Sequence, residues 1–214
     1  MYGKKAKSVY KSISSGVSSA AKVAETAAKA YSIASGVARL VNAEQKLYEV
    51  SGSTNPAIAG ITVVKLSHPS QGDGYLNRDG DSIKLQKLLF NWKANINSSA
   101  TRTMLRIIIF RARQERGTDP TQTQLMGSAT PNPLDFRDWQ YRKGYVILYD
   151  RLILLDPEHE AELSRKVLKL RGHVEFEAAS QSAADGGIYL AAFSDESTNT
   201  PGFNFRSRCL FTDN

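Results

Sequence analysis

Ile83-Lys84-Leu85-Gln86-Lys87-Leu88 alternates apolar and polar side chains, and Val174-Glu175-Phe176-Glu177 repeats the pattern. A period of two puts alternate side chains on opposite faces of a β-strand, so each run should have one buried and one solvated face. Six more short segments are rich in β-branched and aromatic residues and are separated by turn residues. The eight predicted strands are 61–66, 83–96, 103–112, 145–155, 165–170, 174–178, 187–193 and 203–211.

The connections between these runs contain no helix long enough to join parallel strands. The pattern therefore predicts an all-β fold, an eight-stranded antiparallel jelly-roll sandwich over residues 47–214. Residues 121–139 interrupt the strand rhythm and predict one helical turn after Pro120, followed by a long ordered surface loop. Long ordered loops usually serve contacts, here with a neighbouring subunit.

Residues 8–46 follow a helical period instead. Ile13, Val17, Ala20, Ala24 and Tyr31 recur mostly at spacings of three and four, on one face of a helix. The segment is rich in alanine, the best helix former, so residues 1–46 are predicted to be an α-helical arm. Because its apolar stripe is mostly alanine, the arm should become ordered against a partner surface.

The arm carries most of the net charge. Residues 1–46 hold eight basic and two acidic side chains (8 − 2 = +6), and the remaining 168 residues hold 20 and 19 (+1). A cationic arm on a near-neutral body indicates a polyanionic partner. The predicted nucleic-acid-binding residues are Lys4, Lys5, Lys7, Lys11, Lys22, Lys29 and Arg39 in the arm, and Arg111, Arg113 and Arg116 after the third predicted strand. A solubilising tail, a mitochondrial transit peptide and, for the arginines, a solvated loop remain alternatives.

Catalytic and metal-binding patterns are missing from the sequence. His68, His159 and His173 have no recognisable catalytic partner spacing, and Cys209 is the only cysteine. The acidic residues around Gly80 do not follow the spacing of an EF-hand and predict a turn, although a calcium site between subunits stays open. No phosphate-binding glycine motif occurs, and no apolar run approaches the ~18 residues of a membrane span. We therefore expect neither an enzyme nor a cofactor.

Several segments resemble one family in the same order along residues 60–214. The stretch 71–83 (QGDGYLNRDGDSI) is similar to the Q-G-D…R-x-G-D-x-[IV] segment of coat proteins from small circular single-stranded DNA viruses and from satellite necrosis viruses of plants. The segments 106–111 (RIIIFR), 117–121 (GTDPT) with Leu125, 145–150 (YVILYD) with Arg142, and 208–213 (RCLFTD) resemble later parts of the same proteins.

This resemblance implies a capsid protein of 60 copies that forms a closed icosahedral shell, located in the virion and, during assembly, in the host cell. It implies inward-pointing arms that package a viral nucleic acid, which the motif spacing suggests is single-stranded DNA. One departure concerns the arm, which is rich in Ala and Ser with scattered lysines where the family is arginine-dense.

Three other readings remain open. The arm has the pattern of a basic amphipathic helix, so a membrane-active protein, or a coat protein with a transient membrane contact, is one alternative. A carbohydrate-binding jelly-roll module is another, and it would require exposed aromatic platforms or a metal. The third is a hydrolase with an unrecognised site.

Overall fold

The computed structural model describes residues 44–61, 63–113, 118–177 and 183–213, together with Thr26, Lys29 and Ala30. The chain divides into two compact units, Met1–Ala43 and Glu44–Asn214. The elements of the second unit are β1 (Gln45–Thr54), β2 (Val64–Lys65), β3 (Ser82–Asn95), β4 (Thr103–Ala112), α1 (Gln122–Met126), β5 (Tyr145–Leu155), β6 (Ala161–Lys169), β7 (His173–Phe176), β8 (Ala183–Asp185), β9 (Ile188–Ser194) and β10 (Gly202–Asp213).

The strands form two sheets in which every ladder is antiparallel. Sheet 1 has the order β1-β10-β3, and β3 then pairs with both β6 and β7, with β8 beyond β7. Sheet 2 has the order β2-β9-β4-β5. Since the first and last strands are neighbours and β9 lies between β2 and β4, the body is a jelly-roll-like β-sandwich. The predicted antiparallel β-sandwich is confirmed.

The predicted strands 165–170 and 174–178 are observed as β6 and β7, which pair with different parts of β3. Two other sequence predictions need correction. The strand β1 was not predicted at all, and β8 was also missed. Gln45 and Lys46, predicted as the end of the helical arm, are the first residues of β1. The rest of that predicted helix lies outside the described residues, apart from Thr26, Lys29 and Ala30, which are helical.

The core between the sheets is built from the inward side chains of β3, β4, β9 and β10, including Phe90, Ile107, Leu190 and Phe211. The two central strands of sheet 2 are also buried on their outer side. There Phe110, Tyr189 and Phe193 pack with Leu125 and Met126 of α1. A strand that is buried on both faces needs apolar side chains at successive positions. This requirement explains the continuous apolar runs at residues 107–110 and 188–193.

The short helix α1 is fixed at both ends. Thr121 is the N-cap and forms a capping box with Gln124, so two backbone N–H groups that a helix leaves unpaired are satisfied. Gly127 ends the helix at a φ of 75°, a left-handed conformation that glycine adopts without a steric cost. The helical turn predicted after Pro120 is confirmed, and it covers the outer face of sheet 2.

Candidate nucleic-acid interface

The predicted phosphate-binding residues divide between the arm and the β-sandwich. Seven of them lie outside the described residues: Lys4, Lys5, Lys7, Lys11, Lys22, Arg39 and Arg116. Lys29 is exposed on a helical turn. Arg111 is the penultimate residue of β4, and Arg113 follows the strand with an exposed side chain. Within the body, the described candidates are therefore Arg111 and Arg113.

The guanidinium of Arg111 donates to three backbone carbonyls. Nε donates to Gly186 O at 3.0 Å, and the two terminal nitrogens donate to Arg171 O at 2.6 Å and to His173 O at 2.5 Å. These bonds tie the end of β4 to the break between β6 and β7 and to the turn before β9. Arg111 is thus a positioning residue, and its contribution to phosphate binding stays a prediction.

Two glycines make room for that guanidinium. Gly172 and Gly186 have φ angles of +100° and +85°, which disfavour residues with a Cβ. A Cβ on Gly172 would lie 2.7 Å from a terminal nitrogen of Arg111, and one on Gly186 would lie 2.6 Å from the other. Both glycines are therefore required by the conformation of the chain and by the arginine that the turns enclose.

Arg111 and Arg113 line an open cleft of about 910 Å³. The cleft lies beside the edge strands β5 and β6, which belong to different sheets. Its charged residues are Arg111, Arg113, Lys143, Lys169, Arg171 and Asp185. Five basic side chains against one carboxylate give a local positive potential that attracts phosphate groups.

Sequence reasoning missed Lys143, Lys169 and Arg171. They lie about 30 to 60 positions away from Arg111 along the chain, and only the sheet pairing brings them to the same cleft. Each one, taken alone, is an ordinary lysine or arginine near a strand end. No local spacing could have identified them, because the cleft forms where the two sheets pack, and β4 and β6 share no ladder.

The segment around Gly80 is a structural turn. The side chain of Arg78 is fully buried, lies over the Phe176 ring at 4.3 Å, and donates to Gly80 O and to Asp81 Oδ1. Its neighbour Asp79 accepts a hydrogen bond from Lys46 of β1 at 2.7 Å. Buried cations need such partners, so the turn and β1 hold each other in place.

Lys46 is 2% exposed and contacts a second carboxylate, Asp213, at 2.8 Å. Burial alone would lower the pKa of Lys46, but hydrogen bonds to Asp213 and Asp79 outweigh this effect and raise the pKa above its ordinary value. The same hydrogen bond from Lys46 lowers the pKa of Asp79. Both directions keep the ion pair charged across the neutral pH range.

The histidines have separate environments. His68 is buried with Nε2 3.0 Å from Tyr189 Oη, while His159 is exposed with Nδ1 3.1 Å from Asp156 Oδ1. His173 is exposed on β7 and contributes its carbonyl to Arg111. Burial raises the pKa of the Cys209 thiol to about 12, so this cysteine is an inert core residue.

The described residues contain no group of three or more His, Cys, Asp or Glu side chains that could hold a metal ion. None of the helices in the same part of the chain combines the length and hydropathy of a membrane span.

The connection between β4 and β5 forms a second exposed surface. Arg106 anchors it by donating to Pro133 O at 3.0 Å and to Asp135 O at 2.6 Å, while pairing with Asp150 at 2.9 and 2.8 Å. This anchored segment nevertheless exposes Phe136 to 94% and Trp139 to 73%. An ordered loop that presents large apolar side chains to solvent is typical of an interaction surface.

The chain is similar to several known viral proteins. A coat protein of Satellite tobacco necrosis virus 2 is 34% identical over 131 residues, which is 57% of this chain and 62% of that protein, so the match spans less than two thirds of the relative. Two solved structures are similar to the chain at low sequence identity. For Desmodium yellow mottle tymovirus the identity is 7% and the TM-score 0.37, and the match covers 79% of this chain and 87% of that one. For the 60-mer BFDV capsid protein the identity is 8% and the TM-score 0.33, and the match covers 79% of this chain and 91% of that one. Residues 20–213 match the family model described as Satellite tobacco necrosis virus coat protein. The chain belongs to the satellite tobacco necrosis virus coat protein family.

Proposed function

We propose that this protein is a viral capsid protein whose copies assemble into a small closed icosahedral shell, with 60 copies as the expected number, around the viral genome. The observation that carries the proposal is the family match over residues 20–213, which includes the whole β-sandwich. Its place is then the virion and, during assembly, the host cell. A structural role of this kind requires binding surfaces and no catalytic site.

The surface that best supports subunit contact is the β4–β5 connection. Leu134, Phe136 and Trp139 are 62%, 94% and 73% exposed, and the Arg142 guanidinium lies 3.7 Å from the Trp139 ring centroid. Aromatic residues and arginine are enriched in the cores of protein interfaces. Arg106 fixes the connection to β4 and β5, so a neighbouring copy would meet a preformed surface with a small entropic cost.

The arm supplies the second part of the function. We propose that residues 1–43 form an α-helical extension of the jelly roll that points into the shell, where Lys4, Lys5, Lys7, Lys11, Lys22, Lys29 and Arg39 contact phosphates. Sixty arms with a net charge of +6 each would bring roughly 360 positive charges to the genome. Lysines act as point charges and do not read sequence, which suits packaging.

Assembly is tested by the double substitution Phe136→Ala and Trp139→Ala. We expect loss of closed particles in negative-stain electron microscopy and a shift to small species in analytical ultracentrifugation. The matched control is Leu163→Ala, which removes an apolar side chain that is 77% exposed on another surface. Particles should persist in this control. Wild-type protein that remains monomeric across salt and pH would contradict the shell proposal itself.

The genome type is tested on purified particles. The resemblance to coat proteins of circular single-stranded DNA viruses predicts packaged material that DNase I digests and RNase A leaves intact after particle disruption. Digestion by RNase A and not by DNase I would show that the packaged genome is RNA, and it would leave the shell proposal unchanged.

A transient membrane contact of the arm is a separate proposal that rests on its basic amphipathic sequence. Addition of the full protein to dye-filled anionic vesicles should cause leakage if this contact occurs. Vesicles that retain their dye would refute the proposed membrane contact.

A further inference from the structure

The outer face of sheet 1 is exposed over the four strands β1, β10, β3 and β6. The register aligns its outward side chains in four rows across the strands. The rows are Ser53-Asn204-Lys93-Leu163, Ser51-Arg206-Asn91-Arg165, Glu49-Arg208-Leu89-Val167 and Leu47-Leu210-Lys87-Lys169. Every row contains at least one lysine or arginine.

This face concentrates the positive charge of the body. It carries six basic residues (Lys87, Lys93, Arg165, Lys169, Arg206 and Arg208) and one acidic residue (Glu49), so its net charge is 6 − 1 = +5. Residues 47–214 together have a net charge of +1 (20 − 19), so everything outside the face has +1 − 5 = −4. A body that is nearly neutral in total is therefore strongly polarised.

Most of these cations have no ion-pair partner among the described residues. Arg208 pairs with Glu49, whereas the other five basic residues make no ion pair within the described parts of the chain. Arg206 and Arg165 stand on either side of Asn91 in one row, roughly 10 Å apart at ~4.8 Å per strand. An anion such as a phosphate group that lies between the two guanidinium groups would replace their weak repulsion by attraction to both.

Two adjoining depressions of about 610 and 420 Å³ share Ser51, Asn91 and Arg206, and the first also contains Asn204. Hydroxyl and amide side chains between the cations supply hydrogen bonds to phosphate and sugar oxygens. Lys169 belongs both to this face and to the basic cleft beside β5 and β6, so the two positive regions adjoin.

The positive region ends where β6 ends. Beyond it, β7 and β8 present Glu175 and Asp185 as cross-strand partners, and Glu175 also faces Ser82 of β3. His173 faces Lys84 in the adjacent position. Beyond β6, sheet 1 therefore combines two acidic residues with the basic Lys84, and its positive charge is concentrated on the four strands β1, β10, β3 and β6.

We propose that this face is a second nucleic-acid-binding surface, which holds the phosphate backbone of a single-stranded nucleic acid independently of the arm. The proposal rests on the proposed function, because it assigns that genome a site on the shell domain. A nucleic acid fits better than a lipid surface, since Trp92 and Phe205 point into the core and the face presents no aromatic anchor among its outward residues.

The test uses the full chain with Lys93→Gln, Arg165→Gln and Arg206→Gln, three exposed positions in two neighbouring rows. Binding of a fluorescein-labelled oligothymidylate is followed by fluorescence anisotropy over a range of NaCl concentrations. Each lost phosphate contact lowers the slope of log K against log salt by about 0.7 for single strands. We therefore expect the slope to fall by about 2, while far-ultraviolet circular dichroism stays that of the wild type.

The matched control removes three exposed basic residues elsewhere, with Arg102→Gln, Arg151→Gln and Lys166→Gln. Its net charge equals that of the test variant, and its slope should stay close to that of the wild type. A charge-preserving variant, Lys93→Arg with Arg165→Lys and Arg206→Lys, should also keep the slope. If the triple neutral variant fails to fold, Lys93→Gln and Arg206→Gln tested singly should each lower the slope by about 0.7.

Equal slopes in test and control variants would overturn the inference. So would a test variant that binds the oligonucleotide normally but no longer binds phosphatidylcholine–phosphatidylserine vesicles, which would assign the face to lipid. Electron microscopy of the same samples separates this result from the shell proposal. If the wild type forms particles and the test variant keeps the wild-type slope, only the second binding surface is refuted. If the slope of the test variant falls but the wild type forms no particles, only the shell proposal is refuted.

Discussion

The outer faces of the two sheets have opposite character although both sheets follow the same alternating geometry. On sheet 2, Phe110, Tyr189 and Phe193 point outward and are buried beneath α1. On sheet 1, the equivalent outward positions hold lysines, arginines and small polar residues together with five aliphatic side chains, and no other layer of the described part of the chain covers them. The comparison shows that one face contributes to folding stability and the other contributes charge, so substitutions should affect these two properties separately.

The largest effect on stability is expected from Phe110→Ala in the covered face. Phe110 stacks on Tyr189 at a centroid distance of 5.7 Å and meets Tyr145 edge-on at 5.4 Å. Removing a fully buried phenylalanine costs about 3–5 kcal/mol, because burial is lost and a cavity remains. Urea unfolding should show a lower midpoint with an unchanged m-value.

The uncovered face supplies the comparison variant. Leu163→Ala on sheet 1 should change the free energy of unfolding by less than about 0.5 kcal/mol, since its side chain is 77% exposed. Equal losses for Phe110→Ala and Leu163→Ala would mean that the two faces do not differ as described.

The contrast also explains which strands the sequence could predict. The central strands of sheet 2 are continuous apolar runs, and β3 alternates regularly, so both were predicted close to their observed bounds. The edge strand β1 was missed because its inward residues include Lys46 and Gly52, which no hydrophobic pattern identifies. Gly52 lies directly under the Phe205 ring, where a Cβ would be 2.6 Å from a ring carbon. These requirements arise from neighbours that are distant in sequence.

The predicted site shows the same limit. The sequence identified Arg111 and Arg113 as a basic pair after a strand, and the structure places both in a basic cleft. The sequence could not show that the Arg111 guanidinium donates hydrogen bonds to three backbone carbonyls. It also could not align Arg206 with Arg165, because that requires the order of β10, β3 and β6. Charge counts along a chain do not reveal charge on a surface.

A smaller effect is expected from Arg111→Lys, which keeps the charge but loses the fork of donors. A lysine can replace one of the three hydrogen bonds to carbonyls and leaves the others unmade. We expect a loss of about 2 kcal/mol in the free energy of unfolding, measured in urea.

Arg113→Lys is the control for this substitution, because the Arg113 side chain is exposed just beyond β4. It should leave the free energy of unfolding within about 0.5 kcal/mol of the wild type. Equal stability of the two variants would show that Arg111 belongs with the solvated arginines of sheet 1 and does not position the turns.

The smallest of the three effects concerns the two sides of sheet 1 and depends on pH. Lys46, on the inner side, is paired with Asp79 and Asp213, whereas the outer lysines and arginines other than Arg208 make no ion pair within the described residues. The hydrogen bond from Lys46 lowers the pKa of Asp79 in the folded protein. A carboxyl group with a lowered folded pKa stabilises the protein above its unfolded pKa of about 3.9. This contribution is lost as the pH falls through the folded value.

Asp79→Asn should therefore lower stability at neutral pH and make stability fall less steeply on acidification from about pH 5 downward. Thermal unfolding at a series of pH values measures both. Asp73→Asn, at an exposed carboxylate of the same loop, is the matched control and should leave the free energy of unfolding at neutral pH within about 0.5 kcal/mol of the wild type. An Asp79→Asn protein with the wild-type acid slope would show that the ion pair between Lys46 and Asp79 contributes nothing measurable to the pH dependence of folding.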